Sequence, residues 1–300
     1  MKKITSQNLA KSIKNIFLNQ EKFIFDKYVP EFTWEGKFFG DYYNSIMIEP
    51  LGDKPPIFYH SLSPFDIVSH KAPDQAVVFQ DGKVLLNIDF ANYVNQRTGI
   101  MDALLLQTLG IKTLTKKNIL FIGTGKVATC SLTSLKALYP DMELAYFLNS
   151  RGHAEEFVTV GKEVGVEIKE GNLSDINVYD FIFCHADPKE IILTTDMKKQ
   201  IKKGAVITSF ITTAGQAEVA DDYFDTENAN VIIDWDKTLE TGADIKRLVE
   251  KGILPADKMI RLKDLFAEKT KLNSNAHYTL YRSHGTPMQN LAMLKLLLEK

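Results

Sequence analysis

The chain has 300 residues, 45% hydrophobic and 25% charged, with 36 Lys and Arg against 38 Asp and Glu, for a formal net charge of −2. So balanced a charge supplies no field to draw the protein to nucleic acid or to an acidic membrane surface. Apolar runs such as Asn118–Ile122 and Val231–Ile233 fall far short of the roughly 20 residues that span a bilayer, so no membrane association is expected. The N-terminus, Met1-Lys2-Lys3-Ile4-Thr5, has no apolar signal core, and Cys130 and Cys184 are too few for a disulfide framework. Both features predict a cytoplasmic, reducing compartment. The length lies near the limit of a single core and predicts two domains.

Along the first ninety residues, aromatics crowd between Phe23 and Tyr43, interrupted by Pro30, Gly36 and Gly40. The pattern predicts packed loops and short strands, because disordered segments are poor in aromatics. Ala76–Gln80 and Lys83–Ile88, joined by Asp81-Gly82, read as a hairpin with a primed two-residue turn. Ile100, Met101, Ala103, Leu104, Leu105 and Leu109 recur at helical spacing.

From Asn118 onward, apolar runs alternate with helical stretches. Strands are predicted at Asn118–Ile122, Leu144–Leu148, Val166–Ile168, Phe181–Cys184, Ala205–Phe210 and Val231–Asp234. Helices are predicted at Lys126–Tyr139, Ala154–Val164, Thr195–Lys202 and Val219–Phe224, and later at Ala243–Lys251 and Leu262–Glu268. This alternation predicts a doubly wound parallel sheet of the Rossmann type. The last segment, Thr286–Lys300, carries Met288, Leu291, Leu294, Leu297 and Leu298 on an amphipathic face. The expected layout is an α/β Rossmann domain over residues 115–272, with an α+β substrate or dimerisation domain made of residues 1–114 and 273–300.

Within the first Rossmann strand and helix, Gly123-Thr124-Gly125-Lys126-Val127-Ala128 forms a G-x-G-x-x-A turn. Gly123 suits the tight turn, Gly125 lets the backbone approach a pyrophosphate, and Ala128 allows the helix to pack closely on the strand. The helix N-terminus offers N–H groups and a positive dipole end to the anion. The second strand ends in Asn149-Ser150-Arg151, without the acid that grips a ribose 2′-hydroxyl. Ser150 and Arg151 suit a 2′-phosphate instead, so NADP(H) is expected over NAD(H). His185 follows the fourth strand, where ligands contact such sheets, and is expected at the ribose or nicotinamide. No Cys or His cluster has zinc spacing, so no metal is expected.

Arg97-Thr98-Gly99 opening an apolar helix, and Arg282-Ser283-His284-Gly285 continuing to Asn290-Leu291, resemble segments of the ornithine cyclodeaminase/mu-crystallin family. The resemblance covers roughly residues 75–300. It implies a homodimer, a nicotinamide cofactor and an amino-acid, imino-acid or 2-oxo-acid substrate. It further implies that Arg97 grips the substrate carboxylate, as a guanidinium fork can, and that Ser283 and His284 lie near the nicotinamide. Where cyclodeaminases carry a catalytic Asp, this chain has Thr213, whose hydroxyl is no general base near neutral pH. The family's N-terminal Arg and Lys are not evident, and His60 is the nearest polar candidate in that stretch. The expected activity is therefore that of an NAD(P)H-dependent oxidoreductase of the imine-reductase or amino-acid-dehydrogenase kind, acting on a small carboxylate-bearing substrate. Thr213 would orient the reacting group, and His284 or else His60 would supply the proton. A cyclodeaminase using bound NAD⁺ catalytically and a non-catalytic NADPH-dependent binding protein are the alternatives.

Overall fold

The computed structural model describes residues 4–28, 31–34, 37–64, 75–148, 152–186, 191–210, 218–241 and 243–299. In chain order the first elements are α1 (Ser6–Leu18), β1 (Ile24–Tyr28), β2 (Glu31–Trp34), β3 (Lys37–Leu51), β4 (Lys54–Pro64), β5 (Gln75–Gln80), β6 (Lys83–Asp89) and α2 (Ala91–Thr108). There follow β7 (Ile119–Ile122), α3 (Lys126–Leu138), β8 (Leu144–Leu148), α4 (Ala154–Val164), β9 (Glu167–Glu170), β10 (Phe181–Cys184), α5 (Thr195–Lys198) and β11 (Ala205–Ser209). The chain closes with β12 (Ala229–Ile233), α6 (Thr238–Thr241), α7 (Ala243–Glu250), β13 (Ile260–Arg261), α8 (Leu262–Phe266), β14 (Tyr278–Arg282) and α9 (Pro287–Leu298). Among the described residues, no helix is long and apolar enough to cross a membrane.

Two compact units result, one of residues 1–98 with 286–300 and the other of residues 99–285. In the first, an antiparallel sheet runs in the order β1-β3-β4-β5-β6, with β2 paired to β3. Instead of loops and short strands, this segment builds strands as long as the 15-residue β3 and the 11-residue β4. Strand periodicity divides their residues between two faces. Met47, Tyr59 and Val78 pair across β3, β4 and β5 and are buried. The neighbouring row, Ile24, Ile48, Phe58, Phe79 and Val84, crosses five strands on the opposite face. There Ile24 is 57% exposed and Val84 65%. The hairpin forms at the expected place, with Asp81 and Gly82 both at positive φ as the primed turn requires.

Helix α1 has no counterpart in the sequence expectations. Its signal is Leu9, Ala10, Ile13, Ile16 and Phe17, all buried at helical spacing behind an N-cap in which Asn8 N–H donates to Thr5 Oγ1 at 3.2 Å. It packs against α9, where Ser12 Oγ donates to the Ala292 carbonyl. Helix α9 is not amphipathic as expected but buried on every side through its first two turns, Gln289 and Asn290 included. Contacts with α1 and with β1, β3 and β4 account for this. Asn290 Nδ2 donates to Ser61 Oγ at 2.9 Å, and Thr286 and Gln289 form a capping box behind Pro287.

The second unit is an eight-stranded parallel sheet in the order β13-β12-β14-β11-β10-β7-β8-β9. The central strands β7, β10, β11, β12 and β14 are buried along their whole length, as the continuous apolar sequences of β7 and β10 demand. All six predicted strands are present. β13 and β14 are additional, and β14 inserts between β11 and β12. That insertion carries this unit past the expected boundary at 272 to residue 285. At the other end the second half of α2 belongs here rather than to the first unit, because Asp102 bonds to Ser131 of α3 and Thr208 of β11. The predicted helix at Val219–Phe224 is instead one short 3₁₀ turn at Asp221–Phe224, since Val219 bridges to Leu193 as extended chain.

Candidate active site

Strand register brings the carboxyl ends of the parallel sheet into one transverse row. Leu148, Ile122, Cys184, Ser209, Arg282 and Ile233 are successive partners across β8, β7, β10, β11, β14 and β12. One residue further along β7, β10, β11, β14 and β12 stand Gly123, His185, Phe210, Ser283 and Asp234. Backbone hydrogen bonds hold this edge together, from Gly123 N to Leu148 O, His185 N to Ile122 O and Ser283 N to Ser209 O, at 2.8 to 3.0 Å. Three residues that sequence reasoning assigned to a cofactor, Gly123, His185 and Ser283, thus share one edge of one sheet. That edge is where α/β sheets of this kind bind ligands.

The two turn glycines meet different demands. Gly123 has φ 98°, and a Cβ there would lie 2.7 Å from the His185 carbonyl oxygen, so the fold itself excludes a side chain. Gly125 is the N-cap of α3 at φ −72°, a conformation open to any residue, and a Cβ there would meet nothing within 4 Å. Neither backbone strain nor packing asks for glycine at that position. The open space over Gly125 faces a helix start with no side-chain cap, and this is the cradle a phosphate group fills. Thr124, Lys126 and Val127 complete the turn, and Ala128 is fully buried, as close packing of α3 requires. The residues present therefore fit a dinucleotide.

Four acids stand along the same edge, each with its own set of partners. Asp102 accepts from the hydroxyls of Ser131 and Thr208, and its Oδ2 lies 2.7 Å from His185 Nε2. The His185 ring is sealed from solvent and has Phe121 and Phe210 as ring neighbours, with ring centres 6.3 and 5.1 Å away. Glu218 accepts from Ser209 Oγ at 2.7 Å and from Phe210 N–H. Burial pushes its carboxyl up to about 7, against the Ser209 hydrogen bond and the charge of Arg282. Asp234 accepts from the Tyr281 and Ser283 hydroxyls and from His284 N–H. Asp244 takes Arg282 Nε at 2.7 Å and lies 2.8 Å from His284 Nε2. Burial alone would raise Asp244, but Arg282 and then His284 outweigh it and hold the carboxyl well below the ordinary range.

The predicted residues divide between the units. Gly123, Thr124, Gly125, Lys126, Val127, His185, Ser283 and His284 belong to the parallel-sheet unit. Arg97 and His60 belong to the other, where Arg97 Nη1 donates to Gln289 Oε1 at 2.8 Å and His60 lies in β4 between Ile46 and Val77. Burial lowers the proton affinity of His60. Asn149, Ser150, Arg151 and Thr213 lie outside the described residues. Sequence reasoning passed over Asp102, Glu218, Asp234 and Asp244. Asp102 had a signal, a lone acid inside the apolar run from Ile100 to Leu106, whereas the other three gain their partners only from the sheet register.

Glu218 makes stability depend on pH. Below its ordinary pKa of 4.5 the group is protonated in both folded and unfolded chains; between 4.5 and about 7 only the unfolded chain ionises. Stability is therefore lost as pH rises through that window, by roughly 3 kcal/mol in all, and is constant above it. Glu218→Gln removes this contribution. Urea denaturation at a series of pH values should show the variant gaining on the wild type by that amount between about pH 4.5 and 7, and a pH-independent difference would contradict the assignment.

The sequence matches no protein-family model and no curated protein. Solved structures with the same architecture do exist. The Δ1-pyrroline-2-carboxylate reductase of Thermococcus litoralis, in complex with NADH and L-proline, superposes with a TM-score of 0.76 at 18% identity, over 99% of this chain and 94% of that one. A probable ornithine cyclodeaminase from Bordetella pertussis gives 0.76 at 17% identity, over 97% and 91%. An archaeal alanine dehydrogenase dimer with bound NAD gives 0.74 at 18% identity, over 99% and 91%. At such identities the likeness is one of fold, and it spans both units: the chain has the fold of the ornithine cyclodeaminase/mu-crystallin-like proteins.

Proposed function

We propose that the protein is an NAD(P)H-dependent oxidoreductase acting on an imino acid, a 2-oxo acid or an amino acid. The observation that carries this reading is the turn from Gly123 to Val127, open over Gly125 at the carboxyl edge of the parallel sheet. It is supported by structural neighbours of like length that were solved with NADH and L-proline or with NAD. A bound reduced nicotinamide supplies the hydride; the chain's own groups bind, orient and protonate. The turn's N–H groups hold the phosphates. Asn149, Ser150 and Arg151, at the end of β8, hold the adenine ribose and its 2′-phosphate, so that NADPH is preferred to NADH. His185 and Ser283 face the nicotinamide half.

Arg97 grips the substrate carboxylate and Thr213 orients the reacting group. His284 supplies the proton in preference to His60. His284 Nε2 lies 2.8 Å from Asp244, whose carboxyl Arg282 and His284 hold well below the ordinary range, whereas burial favours the neutral form of His60. The free cysteines, Cys130 and Cys184, accord with a reducing cytoplasm.

A screen of 2-oxo acids with and without amines, each beside its amide, tests the function by the loss of NADPH or NADH absorbance. Turnover of the acids with NADPH and not of the amides is expected; no cofactor oxidation by any member would leave only a binding protein. Gly125→Ala should fold with unchanged thermal stability yet weaken dinucleotide binding at least about tenfold, since its methyl group occupies the phosphate's space; unaltered affinity by titration would count against the site.

The chain also forms a homodimer through the face carrying Ile24, Ile48, Phe58, Phe79 and Val84. So much exposed apolar surface on one sheet is a feature of an interface, and the archaeal alanine dehydrogenase was solved as a dimer. Sedimentation at micromolar concentration checks this, a monomer being the contrary result.

A further inference from the structure

His185 stands one residue beyond the end of β10, its backbone against Gly123 of the phosphate turn. Its side chain has no solvent exposure, and Nδ1 is buried with no hydrogen-bond partner among the described residues. A polar atom kept in that condition costs free energy, and a native fold that retains one uses it or fills it with a ligand. The other ring nitrogen settles the form of the imidazole. Asp102 is buried and already accepts two hydroxyl hydrogens, from Ser131 and Thr208, so that it meets its neighbours as an acceptor. Nε2 at 2.7 Å then donates to Asp102, and in that tautomer Nδ1 is the bare acceptor. Phe121 and Phe210 lie beside the ring.

The strand order says which part of a ligand this acceptor meets. β7 carries the phosphate turn, β8 on one side ends where the adenine ribose is read, and β10 on the other side carries His185. Resting on the dinucleotide reading above, we propose that Asp102 is a positioning residue that sets the His185 tautomer, and that Nδ1 accepts a hydrogen bond from an N–H or O–H donor on the nicotinamide–ribose half of the cofactor. Either the carboxamide N–H or a ribose hydroxyl has the needed chemistry.

Asp102→Asn inverts the arrangement. The amide keeps an acceptor for Thr208 but offers an N–H to Nε2, so the ring proton moves to Nδ1 and the acceptor becomes a donor. Long-range ¹⁵N NMR on the ligand-free protein should find His185 Nδ1 unprotonated in the wild type and protonated in Asp102→Asn. The affinity for NADPH should fall about tenfold, the loss of one hydrogen bond, while that for 2′,5′-ADP, which lacks the nicotinamide–ribose half, stays unchanged. A loss that persists with the 2′-phosphate of ADP-ribose assigns the ribose hydroxyl as donor, and one that vanishes with it assigns the carboxamide. His185→Phe, which keeps an aromatic ring beside Phe121 and Phe210, should show the same loss for NADPH and decides the matter if Asp102→Asn does not fold. Unchanged NADPH affinity in a folded variant, or a wild-type Nδ1 that carries the proton, overturns this proposal alone. A wild type that binds neither NADPH nor 2′,5′-ADP overturns the dinucleotide reading and this proposal with it.

Discussion

A carboxylate without solvent exposure ties the parallel-sheet unit together at its working edge. Asp102 projects from α2 and meets Ser131 on α3, Thr208 on β11 and His185 beyond β10, so four elements converge on one group. Removing a carboxylate from water costs several kcal/mol unless good hydrogen bonds replace the lost hydration. Three donors meet that demand here, and they meet it in only one arrangement of the four elements. The position of α2 on the sheet, the approach of α3 and the orientation of the His185 ring follow together.

The same physics repeats along the edge with different outcomes. Asp244 faces a guanidinium and an imidazole and stays ionised. Among the described residues Glu218 has only a hydroxyl and an amide as direct donors, with Arg282 acting at longer range, and its proton affinity climbs toward neutrality. Asp234 takes two hydroxyls and a backbone N–H and pins the start of the segment from Ser283 to Gly285. The net charge of −2 says nothing of this. What matters is how each acid is solvated by its neighbours, which decides whether a site can bind an anion, relay a proton or only hold its shape.

The Rossmann half was legible because its signals are local. Strands such as β7 and β10 are short apolar runs, the glycine turn sits between a strand and a helix, and α4 spans the predicted residues from Ala154 to Val164. β14 was not legible as a strand of this sheet. Its sequence, Tyr278 to Arg282, alternates polarity, and it is buried on both faces only because β11 and β12 flank it. The N-terminal sheet escaped for a related reason: aromatic strands broken by glycine and proline look irregular until antiparallel partners are supplied. Helix α1 carries a readable period in Leu9, Ala10, Ile13, Ile16 and Phe17.

By itself the sequence determined the elements whose partners are near in the chain: the G-x-G-x-x-A turn, the hairpin at Asp81-Gly82, and the alternation that makes the sheet parallel. Each rests on backbone sterics or on hydrophobic period, which act over a few residues. Only the tertiary structure decided that Gly123, His185, Phe210, Ser283 and Asp234 share one edge, that Gly125 is free of any packing demand, and that Asp102 rather than a nearby residue holds His185. Those relations join residues as much as 160 positions apart, from Gly123 to Ser283. They depend on strand register and on where buried polar groups find partners, which no local pattern encodes.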